Sequence, residues 1–274
     1  MPLKSSLAIL ITPLSNEFEP MTLLKLLLVR HGQSVGNTVG RMEGTTSTGL
    51  TPLGRQQSRR LGQHLGATGW LPTGVYCSPL ERATATLAAM VEGLGAELVE
   101  LDLSQRSPTP PTTGMVLLQA KPVAGAVLDQ PIPVTLLSDL KEYDAGVFNG
   151  LTWAEACDRY PDLCQRLTTS LDWQPIPQAE TLTAGQARAQ RFVAQLLHQH
   201  GNGDRILVIA HHWILQHVIT GLMGCDRAWG LPMDNTACFE FWLDRDRWPQ
   251  TGPNRLNTEL WRVKRFNDTT HLQS

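Results

Sequence analysis

Leu26-Leu27-Leu28-Val29-Arg30-His31-Gly32-Gln33-Ser34 is the stretch on which the reading of this chain turns. Its first four residues form a continuous apolar run, the pattern of a strand buried on both faces. The run ends directly in an arginine, a histidine and a glycine, so cationic and titratable groups stand at the strand's carboxyl end. In open α/β sheets ligands bind at that edge, because the loops diverge there and helix N-termini point into the crevice.

The same arrangement recurs twice. Val75-Tyr76-Cys77 leads into Ser78-Pro79-Leu80-Glu81, which has the form of a capping box with proline at the first helical position and puts Arg82 in the first turn. Ile206-Leu207-Val208-Ile209 leads to His211, with a helical pattern following through Ile214, Leu215, Val218 and Leu222. Thr51-Pro52 announces another helix, with Leu53, Leu61 and Leu65 on one side. Strands alternating with helices in this way predict an α/β fold. Phe239 to Leu243 and Leu260 to Phe266 alternate with period two and predict antiparallel edge strands.

Residues 107–133 break the pattern with six prolines, at 108, 110, 111, 122, 131 and 133. So many residues without a backbone N–H disfavour regular structure. We therefore read about 102–178 as an insertion over one end of the sheet, with a helix from Trp153 to Leu167 interrupted near Pro161. Residues 1–20 are expected to be an extension outside the folded body, and 21–274 a single domain.

The 274-residue chain is 42% hydrophobic and 18% charged, which places it among ordinary globular proteins. A formal net charge of -2 supplies no general attraction to nucleic acid or anionic lipid, so an anion must be held by local Arg and His. Five scattered cysteines without a CxxC pair argue against a disulfide framework or a structural zinc site and suggest a reducing, cytoplasmic setting. No apolar run approaches the roughly 18 residues of a membrane helix. The expected partner is a small molecule, with neither nucleic acid nor membrane. The edge strands leave room for a homodimer without requiring one.

Leu28-Val29-Arg30-His31-Gly32-Gln33-Ser34 with Asn37 resembles the RHG signature of the histidine phosphatase (phosphoglycerate mutase-like) superfamily. Leu50 to Gln57, Ser78 to Ala83, Leu140-Lys141-Glu142, Ala179-Glu180-Thr181 with Arg188, and Val208 to His211 match in the family's order, as does the tail Asn267 to Leu272. The resemblance spans about residues 23–272 with gaps in the proline-rich segment. It implies a three-layer α/β/α sandwich with a mostly parallel central sheet, phosphoglycerate mutase-like, plus an inserted lid. It implies phosphoryl transfer through His31, with Arg30, Arg82 and His211 around the phosphate and Glu142 as general acid and base. It implies no cofactor and no metal. Ser34 and Asn37 are possible neutral donors to the same phosphate, and Glu180 with Arg188 are expected to orient the pocket through an ion pair.

These roles fit the chemistry. A phosphomonoester carries its charge on non-bridging oxygens, so transfer needs preorganised cationic donors and an in-line nucleophile. Guanidinium groups supply planar bidentate donors. A neutral imidazole, held through its other nitrogen, supplies the nucleophile. His211 is expected to be protonated beside the dianion. Asp144 is the competitor to Glu142 for the proton-transfer role.

Some positions depart from the family. His211 is followed by His212 and Trp213 where glycines are common, so His212 is expected either to bind substrate or to be a satisfied structural histidine. Gly36 stands before Asn37 where the family's mutases typically carry an aromatic residue, which favours hydrolysis over mutase chemistry. His198-Gln199-His200 reads as a solvated surface rather than a metal site.

Overall fold

The computed structural model of the chain describes residues 22–100, 116–122, 132–225, 230–248 and 261–273. The extension expected over residues 1–20 and most of the proline-rich stretch lie outside them. In chain order the elements are β1 (Leu24–Arg30), α1 (Val35–Thr38), α2 (Pro52–Ala67), β2 (Gly74–Cys77), α3 (Glu81–Gly93), β3 (Ala96–Glu100), β4 (Val116–Pro122) and β5 (Ile132–Leu136). They continue with α4 (Trp153–Arg159), α5 (Pro161–Thr169), α6 (Leu182–Gln199), β6 (Arg205–Ala210), α7 (His212–Leu222), β7 (Cys238–Leu243) and β8 (Trp261–Asp268).

The strands form one sheet in the order β3-β4-β5-β2-β6-β1-β7-β8. Its central four, β5-β2-β6-β1, run parallel, and antiparallel pairs extend it at both margins. The apolar runs of β1 and β6 are continuous because both faces are covered. Leu24, Leu26 and Leu28 join Ile206, Val208 and Ala210 in a core shared with α6 and α7. Leu27 and Val29 join Leu207 and Ile209 in a second core with Leu61 and Leu65 of α2 and Leu87 and Met90 of α3. Successive side chains thus serve opposite layers of an α/β/α sandwich.

Thr51 caps α2 as expected, its side chain accepting from Gly54 N with Pro52 at the first position. Leu53, however, is exposed, and the buried face of α2 begins at Gly54 and runs through Leu61 and Leu65. The late strands are antiparallel, but only β8 is an edge, since β7 lies between β1 and β8.

The insertion also needs correction. Residues 132–136 are not an excursion: β5 pairs parallel with β2, and Ile132 and Val134 are buried in the core beside α3. Counting prolines hid that short alternation, in which Pro133 takes the exposed position between two apolar ones. Beyond β5 the chain does leave the sheet, through α4 and α5, which meet at Pro161. A satellite core of Ala145, Phe148, Leu151, Ala156, Leu163 and Cys164 holds that part together.

Candidate active site

Three parallel strands end side by side and bring their polar termini together. The backbone after β1 is pinned from both sides: His31 N donates to Ala210 O at 3.0 Å, and Thr236 N donates to Arg30 O at 3.1 Å. His31 is buried, and its Nδ1 faces Gly32 O at 2.7 Å. That bond assigns the proton to Nδ1 and leaves Nε2 with a free lone pair. Burial, then the charges of Arg82 and Arg30, hold the imidazole well below its usual pKa, so it is neutral.

His211 packs behind it, with ring centroids 5.1 Å apart. Its Nδ1 accepts from Arg82 Nε at 3.1 Å, and its Nε2 lies 2.8 Å from Ser78 Oγ. A ring nitrogen that accepts from a guanidinium carries no proton, so this ring is the neutral Nε2–H tautomer donating to Ser78. Burial, His31 and the nearby guanidinium groups all push its pKa well down. The expectation of a protonated His211 is thus not met in the free protein: with no dianion bound, three positive neighbours disfavour a further charge.

Ser78 was expected to cap α3. Instead the residue at the cap is Leu80, which supplies no side-chain bond, and the Ser78 hydroxyl is turned to His211. Arg82 does sit in the first turn of α3, 1% exposed. It donates to His211 Nδ1, to Thr46 O at 2.7 Å and to Gly44 O at 2.9 Å. A guanidinium has five N–H donors, so these bonds leave two unused. Arg30 donates through Nη1 to Met233 O, while its buried Nε has no partner among the described residues. Burial lowers the pKa of both arginines, and nearby carboxylates oppose the shift, Glu142 for Arg30 and Glu43 for Arg82.

A cavity of about 280 Å³ opens on these groups. Arg30, His31, Asn37, Arg82, Glu142 and His212 line it. Glu142 lies against the start of α7, accepting from Trp213 N at 3.3 Å and Ile214 N at 3.4 Å. Asp144, its competitor, does not line the cavity. Its carboxylate is occupied by Gly146 N and the Asn149 amide within its own loop. Glu180 and Arg188 form a bidentate pair at 2.8 and 2.7 Å. Arg188 also donates to the carbonyls of Asp139 and Lys141, which ties down the turn that presents Glu142.

Ser34 is displaced from the role expected of it. Its hydroxyl donates to Glu43 and caps α1, and it does not line the cavity. Asn37 does line it. Its Oδ1 accepts from Ser34 N and from Asn235 Nδ2 at 3.0 Å, leaving its NH2 for a ligand. His212 is both lining and structural, since its Nε2 lies 3.0 Å from Leu231 O. Trp213 faces the same space and stacks with Tyr143 at 4.9 Å. His200 is no solvated side chain: its ring bonds Tyr76 Oη at 2.9 Å and approaches Asp204 at 3.3 Å.

Sequence reasoning missed Glu43. It is 6% exposed, lines the cavity, and accepts from Ser34 Oγ and from Thr48 N and Oγ1. Its carboxylate is 3.9 Å from Arg82 Nε. It sits in the aperiodic loop Arg41 to Gly49, where no pattern distinguishes a buried acid from a solvated one. Glu43 also explains Gly36, because a Cβ there would come within 2.4 Å of its Cδ. A side chain at 36 would therefore have to displace the Glu43 carboxylate from its present position.

The neutral histidines carry a pH dependence. His31 and His211 lie well below the ordinary value of 6.5, and burial lowers His271 to about 4. Between those values and 6.5 the unfolded chain binds protons that the native state does not. Stability is therefore full above about pH 6.5 and falls on acidification, by roughly 1.4 kcal/mol per pH unit for each such group. Thermal melts from pH 7 to pH 5 should show a steady decrease in Tm; a flat profile would contradict the neutral assignment.

Residues 26–104 and 117–254 match the model of the histidine phosphatase superfamily, branch 1. Among curated relatives, phosphoserine phosphatase 1 of Hydrogenobacter thermophilus is 23% identical over 78% of this chain and 84% of that protein. A 2,3-bisphosphoglycerate-dependent phosphoglycerate mutase of Maricaulis maris is 39% identical, but over 30% of this chain and 34% of its own. The alpha-ribazole phosphatase of Shigella flexneri shares the fold, with a TM-score of 0.63 and 22% identity over 90% of this chain and 97% of that one. With two histidines and two arginines drawn from three strand ends into one buried cluster, and the family model covering most of its length, this chain belongs to the histidine phosphatase superfamily.

Proposed function

We propose that the protein is a phosphomonoesterase working through a phosphohistidine at His31. One observation carries the reading: a buried imidazole, oriented by its Gly32 bond and held neutral by burial and the arginine charges, sits beside the guanidinium groups of Arg30 and the buried Arg82, which retain unused donors. The phosphate's non-bridging oxygens take those donors and the Asn37 amide. Nε2 of His31 attacks phosphorus in line, and the P–O bond to the alcohol breaks. Glu142 protonates the leaving alkoxide, then as carboxylate takes a proton from the water that hydrolyses the phosphohistidine. His211, behind His31, accepts from Arg82 Nε and so fixes the guanidinium whose remaining donors stabilise the equatorial oxygens. The chemistry needs no metal or cofactor at any of these steps.

Glu142→Gln is the test. Replacing the acid should lower kcat for an alkyl phosphate by about 10² to 10⁴. It should have far less effect on formation of the phosphoenzyme from p-nitrophenyl phosphate, whose leaving group needs no proton. Equal losses on both substrates would show that Glu142 is not the acid.

The local match to a phosphoglycerate mutase favours a second reading, return of the phosphoryl group to a product. Incubation with 3-phosphoglycerate separates the two: free phosphate marks hydrolysis, 2-phosphoglycerate marks transfer. Gly36 beneath Glu43, in place of the mutases' aromatic residue, argues for hydrolysis.

A further inference from the structure

Away from the phosphate cluster, the cavity wall has a character of its own. Met42, Tyr143, Ala145, Phe148, Ile176 and Trp213 line it. The Tyr143 and Trp213 rings lie 4.9 Å apart, tilted by 38°, and Trp173 meets Tyr143 edge-on at 6.0 Å. This is an aromatic, apolar surface in the same cavity as His31, Arg30, Arg82 and Glu142.

The charged groups of the wall already have partners. Beyond Arg30 and Arg82, the one other arginine or lysine lining the cavity among the described residues is Arg41. Arg41 is bound by Glu155 through two bonds of 2.8 and 3.2 Å and donates to Gly150 O at 2.6 Å. Once the phosphate takes Arg30 and Arg82, the remaining lining guanidinium among the described residues is that of Arg41, whose charge is balanced by Glu155. Glu43 lines the same cavity, so a substrate carboxylate would meet a like charge.

We infer that the substrate is a phosphomonoester of an uncharged alcohol bearing an aromatic or otherwise apolar body, rather than a phosphorylated amino acid or hydroxy acid. The inference rests on the phosphomonoesterase reading above and names the substrate class of that site. The flat body stacks on the Tyr143–Trp213 wall and displaces water from it, while the phosphate is held by the two arginines.

The test compares three primary-alcohol esters of similar leaving-group chemistry: 2-phenylethyl phosphate, glycerol 3-phosphate and 3-phosphoglycerate. kcat/KM should be highest for the phenylethyl ester, by at least about tenfold over glycerol 3-phosphate. It should be lowest for 3-phosphoglycerate. Trp213→Leu should reduce the phenylethyl-to-glycerol ratio of kcat/KM by about fivefold or more. Glu155→Gln, whose amide oxygen can still accept from Thr152 N at the start of α4 as the carboxylate does but which releases the charge of Arg41, should raise the 3-phosphoglycerate-to-glycerol ratio about threefold or more.

A preference for 3-phosphoglycerate in the unaltered protein, or ratios unmoved in both variants, overturns the substrate class and leaves the phosphomonoesterase reading standing. Absence of turnover on all three esters and on p-nitrophenyl phosphate overturns that reading, and the substrate class with it.

Discussion

His31→Ala is expected to reduce phosphomonoester hydrolysis by on the order of 10⁴-fold or more, because no other group among the described residues is placed to attack phosphorus. His211 is the nearest imidazole, but it lies behind His31 and both of its nitrogens are engaged. The substituted protein should remain folded, since the backbone bonds from His31 N to Ala210 O and from Thr236 N to Arg30 O do not need the side chain. Rapid mixing of the unaltered enzyme with an aryl phosphate, followed by alkaline quench, should trap an acid-labile phosphoenzyme that His31→Ala lacks. Trapping of the same adduct in the variant would move the nucleophile elsewhere.

Arg82→Met should damage both activity and stability, by separable routes. Losing two donors to the transferring phosphoryl group should cost about 10³ in kcat/KM. Losing the guanidinium also leaves the buried Glu43 carboxylate without its countercharge, 3.9 Å away in the intact protein, and leaves the Gly44 and Thr46 carbonyls short of a donor. An uncompensated buried charge costs roughly 3 kcal/mol, equivalent to about 5 °C in Tm at this chain length. The double variant Arg82→Met, Glu43→Gln removes the stranded charge while its amide oxygen still accepts from Ser34 or Thr48. It should recover part of the lost stability and none of the activity. Thermal melts beside steady-state kinetics decide the matter: equal melting of the single and double variants would show that Glu43 is not balanced by Arg82.

Several elements are legible in the residues themselves. The runs of β1 and β6 are long, apolar and unbroken, which implies both burial on two faces and the placing of Arg30, His31 and His211 at carboxyl ends. Thr51-Pro52 marks the start of α2 because capping is a local interaction. The proline at 161 separates α4 from α5 for the same reason. The failures share a cause. Ser78-x-x-Glu81 has the spacing of a capping box, yet the Ser78 hydroxyl bonds an imidazole 133 positions away, a partner that local spacing does not reveal. β5 escapes notice because its signal is two apolar residues astride a proline, too little to outweigh the surrounding composition.

Sequence by itself determined an α/β frame with Arg30, His31 and His211 at strand ends and Arg82 in the first turn of the helix that follows a strand. Period and capping are properties of neighbouring residues, and those four positions derive from them. Tertiary structure alone decided that Glu43 is buried beneath Gly36, that Glu142 rather than Asp144 faces the cavity, and that Arg41 is held by Glu155. Each of those outcomes depends on which aperiodic loops meet across the end of the sheet, and a loop's polar residues look the same in sequence whether they meet water or one another.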